Sequence, residues 1–234
     1  MKLKTVAYMI RCLTNMHVGK GDATYEVVDK CVQRNVITGV PCIYSSSLKG
    51  ALRHFFSSHK FAYIDHVFGS DMSRDAENEN KKNEKEYSVG NFTFFQANLL
   101  AYPVQSLDNG TNYILKTNNG LKRPIEDLAK HLGVENYIQS ESFNLEEDDQ
   151  LYTHLEHLPV IARNKLEDGK SENLWYEEVV PAESRFVFFV SYDNEEIFKE
   201  FDEIIQEGVI QIGANGSIGY GFCKIANVTN PFKK

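Results

Sequence analysis

Leu48, Ala51, Leu52, Phe55 and Phe56 stand at i, i+3, i+4, i+7 and i+8 behind Ser45-Ser46-Ser47, and nothing else in the sequence restricts the fold as much. This spacing puts five apolar side chains on one side of a helix, with the serines as caps at its start. Such a stripe has to be covered. A second stripe, Ile197, Phe198, Phe201, Ile204 and Ile205, runs through 194–207 and ends at Gly208, a residue suited to stopping a helix. Residues 124–138 predict a third, short helix opening at Pro124. The segments able to cover these stripes read as strands: 3–13, 92–95, 99–102, 174–176 and 186–190, with strand, glycine-rich turn and strand from Val209 to Ile225. Strand–helix–strand blocks mixed with hairpins predict an α+β fold, a ferredoxin-like sheet with one helical face and long insertions.

Two segments interrupt that pattern. Asp71 to Tyr87 hold six acids and four bases, so 70–88 reads as a mobile polar surface loop. Residues 139–172 are acidic and turn-rich, with Glu167-Asp168-Gly169 as a hairpin tip. At 234 residues the chain reads as a single domain, 1–234, carrying these insertions. Its apolar runs are too short for a membrane-spanning helix, and its N-terminus does not read as a signal peptide. Cys12, Cys31, Cys42 and Cys223 show no C-x-x-C spacing and read as reduced thiols in a cytoplasm.

The net charge of −8 speaks against a nucleic-acid partner until its distribution is read. Residues 1–60 carry nine Lys and Arg against three acids, a net of +6, which leaves −14 for the rest. A basic face on an acidic body can hold a phosphate backbone, because binding follows the local field. Chance clustering on a solvated surface is the alternative. Lys49 and Arg53, four apart at the start of the first helix, would add two cations to the positive end of a helix dipole.

Gly213-Ala214-Asn215-Gly216-Ser217-Ile218-Gly219-Tyr220-Gly221 does not form a dinucleotide fingerprint, since only thirteen residues follow it and no βαβ unit fits. These glycines let backbone N–H groups approach a phosphate chain, or let this loop approach the first glycine segment, His17 to Gly21. A tight hairpin between two buried strands is the plainer alternative.

Several blocks resemble RAMP-superfamily CRISPR proteins. They are Leu13 to Gly21, Val28 to Arg34 and Gly39 to Arg53 with its Ser-Ser-Leu-Lys-Gly-x-Leu-Arg helix start, then Asn91 to Ser106 and Gln211 to Phe222. Leu174-Trp175-Tyr176-Glu177-Glu178-Val179-Val180-Pro181 resembles the backbone subunit of the type III-B (Cmr) effector and favours it over the type III-A (Csm) counterpart. The resemblance implies an RRM-like core with a palm and a thumb hairpin, here 139–173. It implies copies of the chain stacked along a CRISPR RNA with other effector subunits, and target RNA cut at regular intervals.

The resemblance also assigns residues. Asp29 matches the catalytic aspartate, with a divalent metal (Mg or Mn) held at cleavage and no organic cofactor. The residues alone leave an Asx-type loop cap open for Asp29. RNA contacts are expected from His17, Lys20, Arg34, Ser46, Ser47, Lys49, Arg53, Arg163, Lys165, Gly213, Asn215, Gly216 and Gly219. His17 is alternatively a structural histidine, and Arg34 a surface ion pair. Two departures stand out. Gln96-Ala97 replaces the family's acid followed by alanine, and the reduced thumb offers Arg163 and Lys165 as its bases near the tip. A non-cleaving scaffold, a guide-processing endonuclease and an unrelated small-molecule enzyme are the rival readings.

Overall fold

The computed structural model describes residues 3–21, 28–70, 88–106, 110, 112–134 and 144–229. Its centre is β9 (Arg185–Tyr192), in which all eight residues are buried. Antiparallel neighbours flank it, β1 (Lys4–Cys12) on one edge and β4 (Ala97–Gln105) on the other. The sheet continues through β11 (Phe222–Asn227) to β10 (Ile210–Gln211) beyond β1, and through β5 (Tyr113–Thr117) to β6 (Leu145–Glu147) beyond β4. Short β2 (Cys42–Ile43) and β3 (Thr93–Phe94) pair with β4 and β9.

Alternation along the strands divides the core in two. Tyr8, Ile10, Phe186, Phe188 and Val190 face α1 (Ser45–Ser58), α2 (Ile64–Phe68) and α5 (Glu195–Glu207). Leu48, Leu52, Phe55 and Phe56 of α1 are buried as the stripe requires, and Phe56 stacks on Phe201 of α5 at 4.6 Å between ring centres. Ala7, Val187 and Phe189 face the other way, onto Ile125 and Ala129 of α3 (Asn119–Leu132). The sheet therefore carries helices on both faces rather than one. A central strand with no exposed residue needs cover on each side.

Two helix starts differ from the expectation. α3 begins at Asn119, not at Pro124: the Asn118 side chain accepts from the Leu121 N–H at 3.0 Å and fixes the first turn, with Pro124 inside the helix and Gly133 closing it in the left-handed region. α1 is preceded by Tyr44 with no side-chain cap, so Ser45, Ser46 and Ser47 are its first helical residues and not its caps. In the acidic stretch, α4 (Leu151–Glu156) buries Leu151 and Leu155. It leads into a separate two-stranded hairpin, β7 (Val160–Glu167) and β8 (Lys170–Glu178). Asp168 and Gly169, both at positive φ, form its tip. Residues 139–143 of the proposed thumb and 71–87 of the polar insertion lie outside the described residues; Gly69 and Val89 bridge the ends of the latter.

Candidate nucleic-acid interface

The first glycine segment and the Asp29 ribbon build the site together. Lys20 N–H donates to Cys31 O at 3.1 Å and Gln33 N–H to Val18 O at 2.8 Å, so 18–20 and 31–33 run as a short antiparallel ladder. Buried Gln33 locks this ladder to the start of α1. Its amide nitrogen donates to Gly19 O at 3.2 Å and Ser47 Oγ at 2.8 Å, while its oxygen accepts from Tyr44 N–H at 2.7 Å. Ser47 is thus spent inside the protein, whereas Ser46 is exposed at the same helix end.

Asp29 sits on the free edge of β8. Its Oδ2 accepts from the Tyr176 backbone N–H at 2.8 Å, Lys30 N–H donates to Tyr176 O at 3.2 Å, and Glu178 N–H donates to Lys30 O at 2.9 Å. The Trp-Tyr-Glu-Glu block therefore aims this carboxylate with main-chain bonds. Beside it opens a cavity of about 720 Å³ lined by His17, Lys20, Asp29, Lys30, Lys165 and Trp175, among others. Four of the residues expected at an RNA site, His17, Lys20, Asp29 and Lys165, meet here, and Lys30 adds a further cation.

The residue that organises the surroundings is Glu177, 1 % exposed. It receives Lys30 Nζ at 3.0 Å, Trp175 Nε1 at 2.8 Å and Asn215 Nδ2 at 2.9 Å, with an Arg163 nitrogen 3.6 Å away. Burial pushes its carboxyl pKa up, but hydrogen bonds from Trp175 and Lys30, with the charges of Lys30 and Arg163, outweigh burial and hold it below the ordinary value. Its neighbour Glu178 accepts from Val32 N–H at 3.0 Å and from Arg34 at 2.5 Å. Sequence reading placed both glutamates in a motif without a role. A carboxylate's burial depends on donors brought from distant segments, which no local pattern records.

Several of the expected RNA contacts have partners within the protein. The Arg34 guanidinium donates to Gly39 O at 2.8 Å, Leu155 O at 2.7 Å and Glu178, an internal clamp. His17 is buried, and its Nδ1 donates to Glu178 O at 2.7 Å, with Nε2 on the side of Gly19. Arg163 packs over the rings of Trp175 and Tyr220, away from the hairpin tip. Lys165 pairs with Glu172 across the hairpin. Asn215 is committed to Glu177. Arg53 turns from the helix start toward the end of α2, donating to Gly69 O at 2.6 Å with Asp65 3.6 Å away. Lys49 forms no ion pair among the described residues, and burial together with the Arg53 charge lowers its pKa.

The terminal glycines serve the approach of one loop to another. A Cβ on Gly213 would lie 2.4 Å from His17 O, and Ala214 N–H donates to that same oxygen at 2.8 Å. Gly216 packs on the Gln211 side chain, and Gly219, at φ +87°, is exposed with open space around it. As for a metal, no group of three His, Cys, Asp or Glu side chains is gathered among the described residues. Asp22 and Glu26 lie outside them. A metal held by protein ligands alone does not fit this set.

A largely antiparallel sheet with helices on both faces, and a cavity with three lysines between the first glycine segment, the Asp29 ribbon and the hairpin, define the class: an α+β fold with a loop-built, basic cleft. The chain belongs to the RAMP superfamily, whose sequence profile matches residues 9–224. It is 26 % identical over 289 aligned positions to the CRISPR system Cmr endoribonuclease Cmr4 of Pyrococcus furiosus, with 93 % of this chain and 94 % of that protein covered. The fold is shared with the type III-B Cmr-beta structure bound to cognate target RNA (TM-score 0.74, 21 % identity, 97 % of this chain and 98 % of that one). It is also shared with oligomeric Cmr4 from P. furiosus (TM-score 0.66, 19 % identity, 97 % and 100 %).

Proposed function

We propose that this chain is the backbone subunit of a type III-B (Cmr) effector. It binds CRISPR RNA along its phosphate backbone, stacks in copies with other effector subunits, and cuts complementary target RNA at regular intervals. The observation that carries this reading is the placement of Asp29: a carboxylate aimed by the edge of β8 at the mouth of a cavity with three lysines. The uncapped start of α1 with exposed Ser46 and half-buried Lys49 suits a phosphate of the guide, where backbone N–H groups and a cation meet. Base pairing supplies the sequence specificity, so contacts to the backbone suffice.

In the cleavage step, the 2′-hydroxyl oxygen of a splayed nucleotide attacks the adjacent phosphorus. The bond to the 5′-oxygen breaks and that oxygen takes a proton from water, which leaves a 2′,3′-cyclic phosphate and a 5′-hydroxyl. The hairpin holds the nucleotide in line for attack. Asp29 takes the hydroxyl proton, and Lys20, Lys30 and Lys165 offset the charge that grows on the phosphate oxygens. Asp29 is the residue that would hold a divalent metal, Mg or Mn, and such an ion would offset charge on the scissile phosphate.

The test is Asp29→Ala in the assembled complex. Target cleavage should fall by at least about 100-fold, the scale expected for loss of general-base catalysis, with guide and target binding retained. Undiminished cleavage would reject Asp29 as the cutting residue.

A further inference from the structure

Two of the four cysteines face each other across adjacent strands. Cys12, the last residue of β1, stands opposite Cys223 of β11. The main chain fixes the kind of pair. Cys12 N–H donates to Ser184 O at 3.1 Å and Cys12 O accepts from Glu183 N–H at 2.6 Å, both at the start of β9, whereas the bond toward β11 comes from the next residue, Leu13 N–H to Phe222 O at 2.8 Å. Cys12 and Cys223 are therefore a non-hydrogen-bonded antiparallel pair, the kind whose Cα atoms lie about 4.5 Å apart with side chains close together. A disulfide spans that separation. Both side chains are fully buried in the same core cluster, and Cys223 Sγ donates to Gly221 O at 3.3 Å. A hydrogen bond with the Cys223 thiol, and then burial, push the Cys12 pKa well up, so Cys12 is an unreactive thiol while the fold is closed. The other two cysteines are not matched in this way: Cys42 stands opposite Asn98, and Cys31 runs beside Lys20.

We propose that Cys12 and Cys223 are a modification site, a dithiol that a hydroperoxide converts into a disulfide within the chain, tying the first strand of the sheet to the last. Access comes from the edge. β11 is covered on its outer side by β10 alone, which is two residues long, so local opening there exposes Cys223 first. The exposed Cys223 thiolate attacks the peroxide, which leaves a sulfenic acid and releases water once the departing hydroxide is protonated. The Cys12 thiol, deprotonated in the opened state, attacks that sulfur and expels a second hydroxide, which is protonated in turn. Two thiols and one hydrogen peroxide thus give one disulfide and two waters. Position gives the bond its effect. Leu13 to Gly21 begins directly after Cys12, and Gly213 to Gly221 ends just before Phe222 and Cys223. These loops already meet through Gly221 N–H to Asn15 O and Ala214 N–H to His17 O, each at 2.8 Å. A covalent tie at their common root holds them at the spacing the fold gives them, and with them Lys20 at the cavity and Asn215 on Glu177. The tie closes a loop of nearly the whole chain, the arrangement in which a cross-link restricts the unfolded state most.

The experiment uses the full chain carrying C31A/C42A, which leaves this pair as its only thiols. It is treated with hydrogen peroxide, denatured, alkylated with N-ethylmaleimide and weighed intact. The expected product is a monomer that has lost two hydrogens, takes up no maleimide, and takes up two after dithiothreitol. Its melting midpoint should lie above that of the reduced chain by about 5 °C or more. Proteolysis of peroxide-treated wild type without reduction should release the same Cys12–Cys223 linked peptides, a readout that stands even if the double variant fails to fold. Two thiols still open to alkylation, sulfinic acid at either position, or a bond that forms only between chains overturns the proposal. An oxidised chain that melts no higher than the reduced one overturns the tie.

Discussion

β9 and the β7–β8 hairpin are held by opposite means. β9 is bonded on both edges and buried along its whole length. The hairpin is a two-stranded sheet whose residues from Lys170 to Leu174 are exposed, and its base is tied down by polar contacts to one buried carboxylate, Glu177. A lone hairpin is marginal in water. Burial of hydrocarbon in β9 is indifferent to pH and salt, whereas the seat of the hairpin depends on charge. The candidate cutting residue is attached to the second kind of structure, which agrees with the general placement of working segments at the less stable end of a protein.

The contrast can be broken most severely from the side of β9. Phe188 is fully buried and stacks on Tyr8 at 5.3 Å between ring centres. Phe188→Ala should cost about 3–5 kcal/mol, read as a lower urea midpoint with every probe moving together. Glu177→Ala should cost about 1–3 kcal/mol, the penalty for stranding its donors, and the loss should be local. Amide exchange should quicken at 29–31 and 160–178 while β9 keeps its protection; equal acceleration in β9 would erase the distinction drawn here.

Acid should remove part of the same contact. Glu177 has a folded-state pKa below its ordinary 4.5, so its contribution is complete above that value and is lost as pH falls through the lowered one. The chain has one tryptophan, Trp175, whose indole nitrogen donates to Glu177, so its fluorescence reports the hairpin seat directly. A fluorescence step below pH 4.5 that vanishes in Glu177→Gln is the expected result. The smallest effect falls on Lys165→Ala. Its pair with Glu172 is exposed, so stability should stay within about 0.5 kcal/mol. The salt dependence of RNA binding should nevertheless weaken by about one phosphate contact.

Much of β9's world was legible in the sequence. The stripes at 48–56 and 197–205 required a sheet, and the apolar run 186–190 supplied its middle. The errors lie where one side chain decides. Asn118 moved the start of α3 five residues upstream of Pro124, and α4 was hidden because two buried leucines were enough to seat it in an acidic stretch. At the candidate site, spacing alone left Asp29 as a possible loop cap, and only the resemblance singled it out. Glu177 and Glu178 went unassigned because partners come from segments up to about 150 positions away, such as Lys30 for Glu177. The clamp on Arg34 was hidden for the same reason, since its partners Leu155 and Glu178 are more than 100 positions away.

The Asp29 carboxylate accepts from the backbone amide of Tyr176, a bond that does not depend on which side chain stands at 176. Most substitutions at 176 therefore keep this bond to the candidate cutting residue. Only proline, which lacks the amide hydrogen, is barred there. A lineage could vary the side chain at this position, one substitution after another, and keep the main-chain bond that holds the carboxylate.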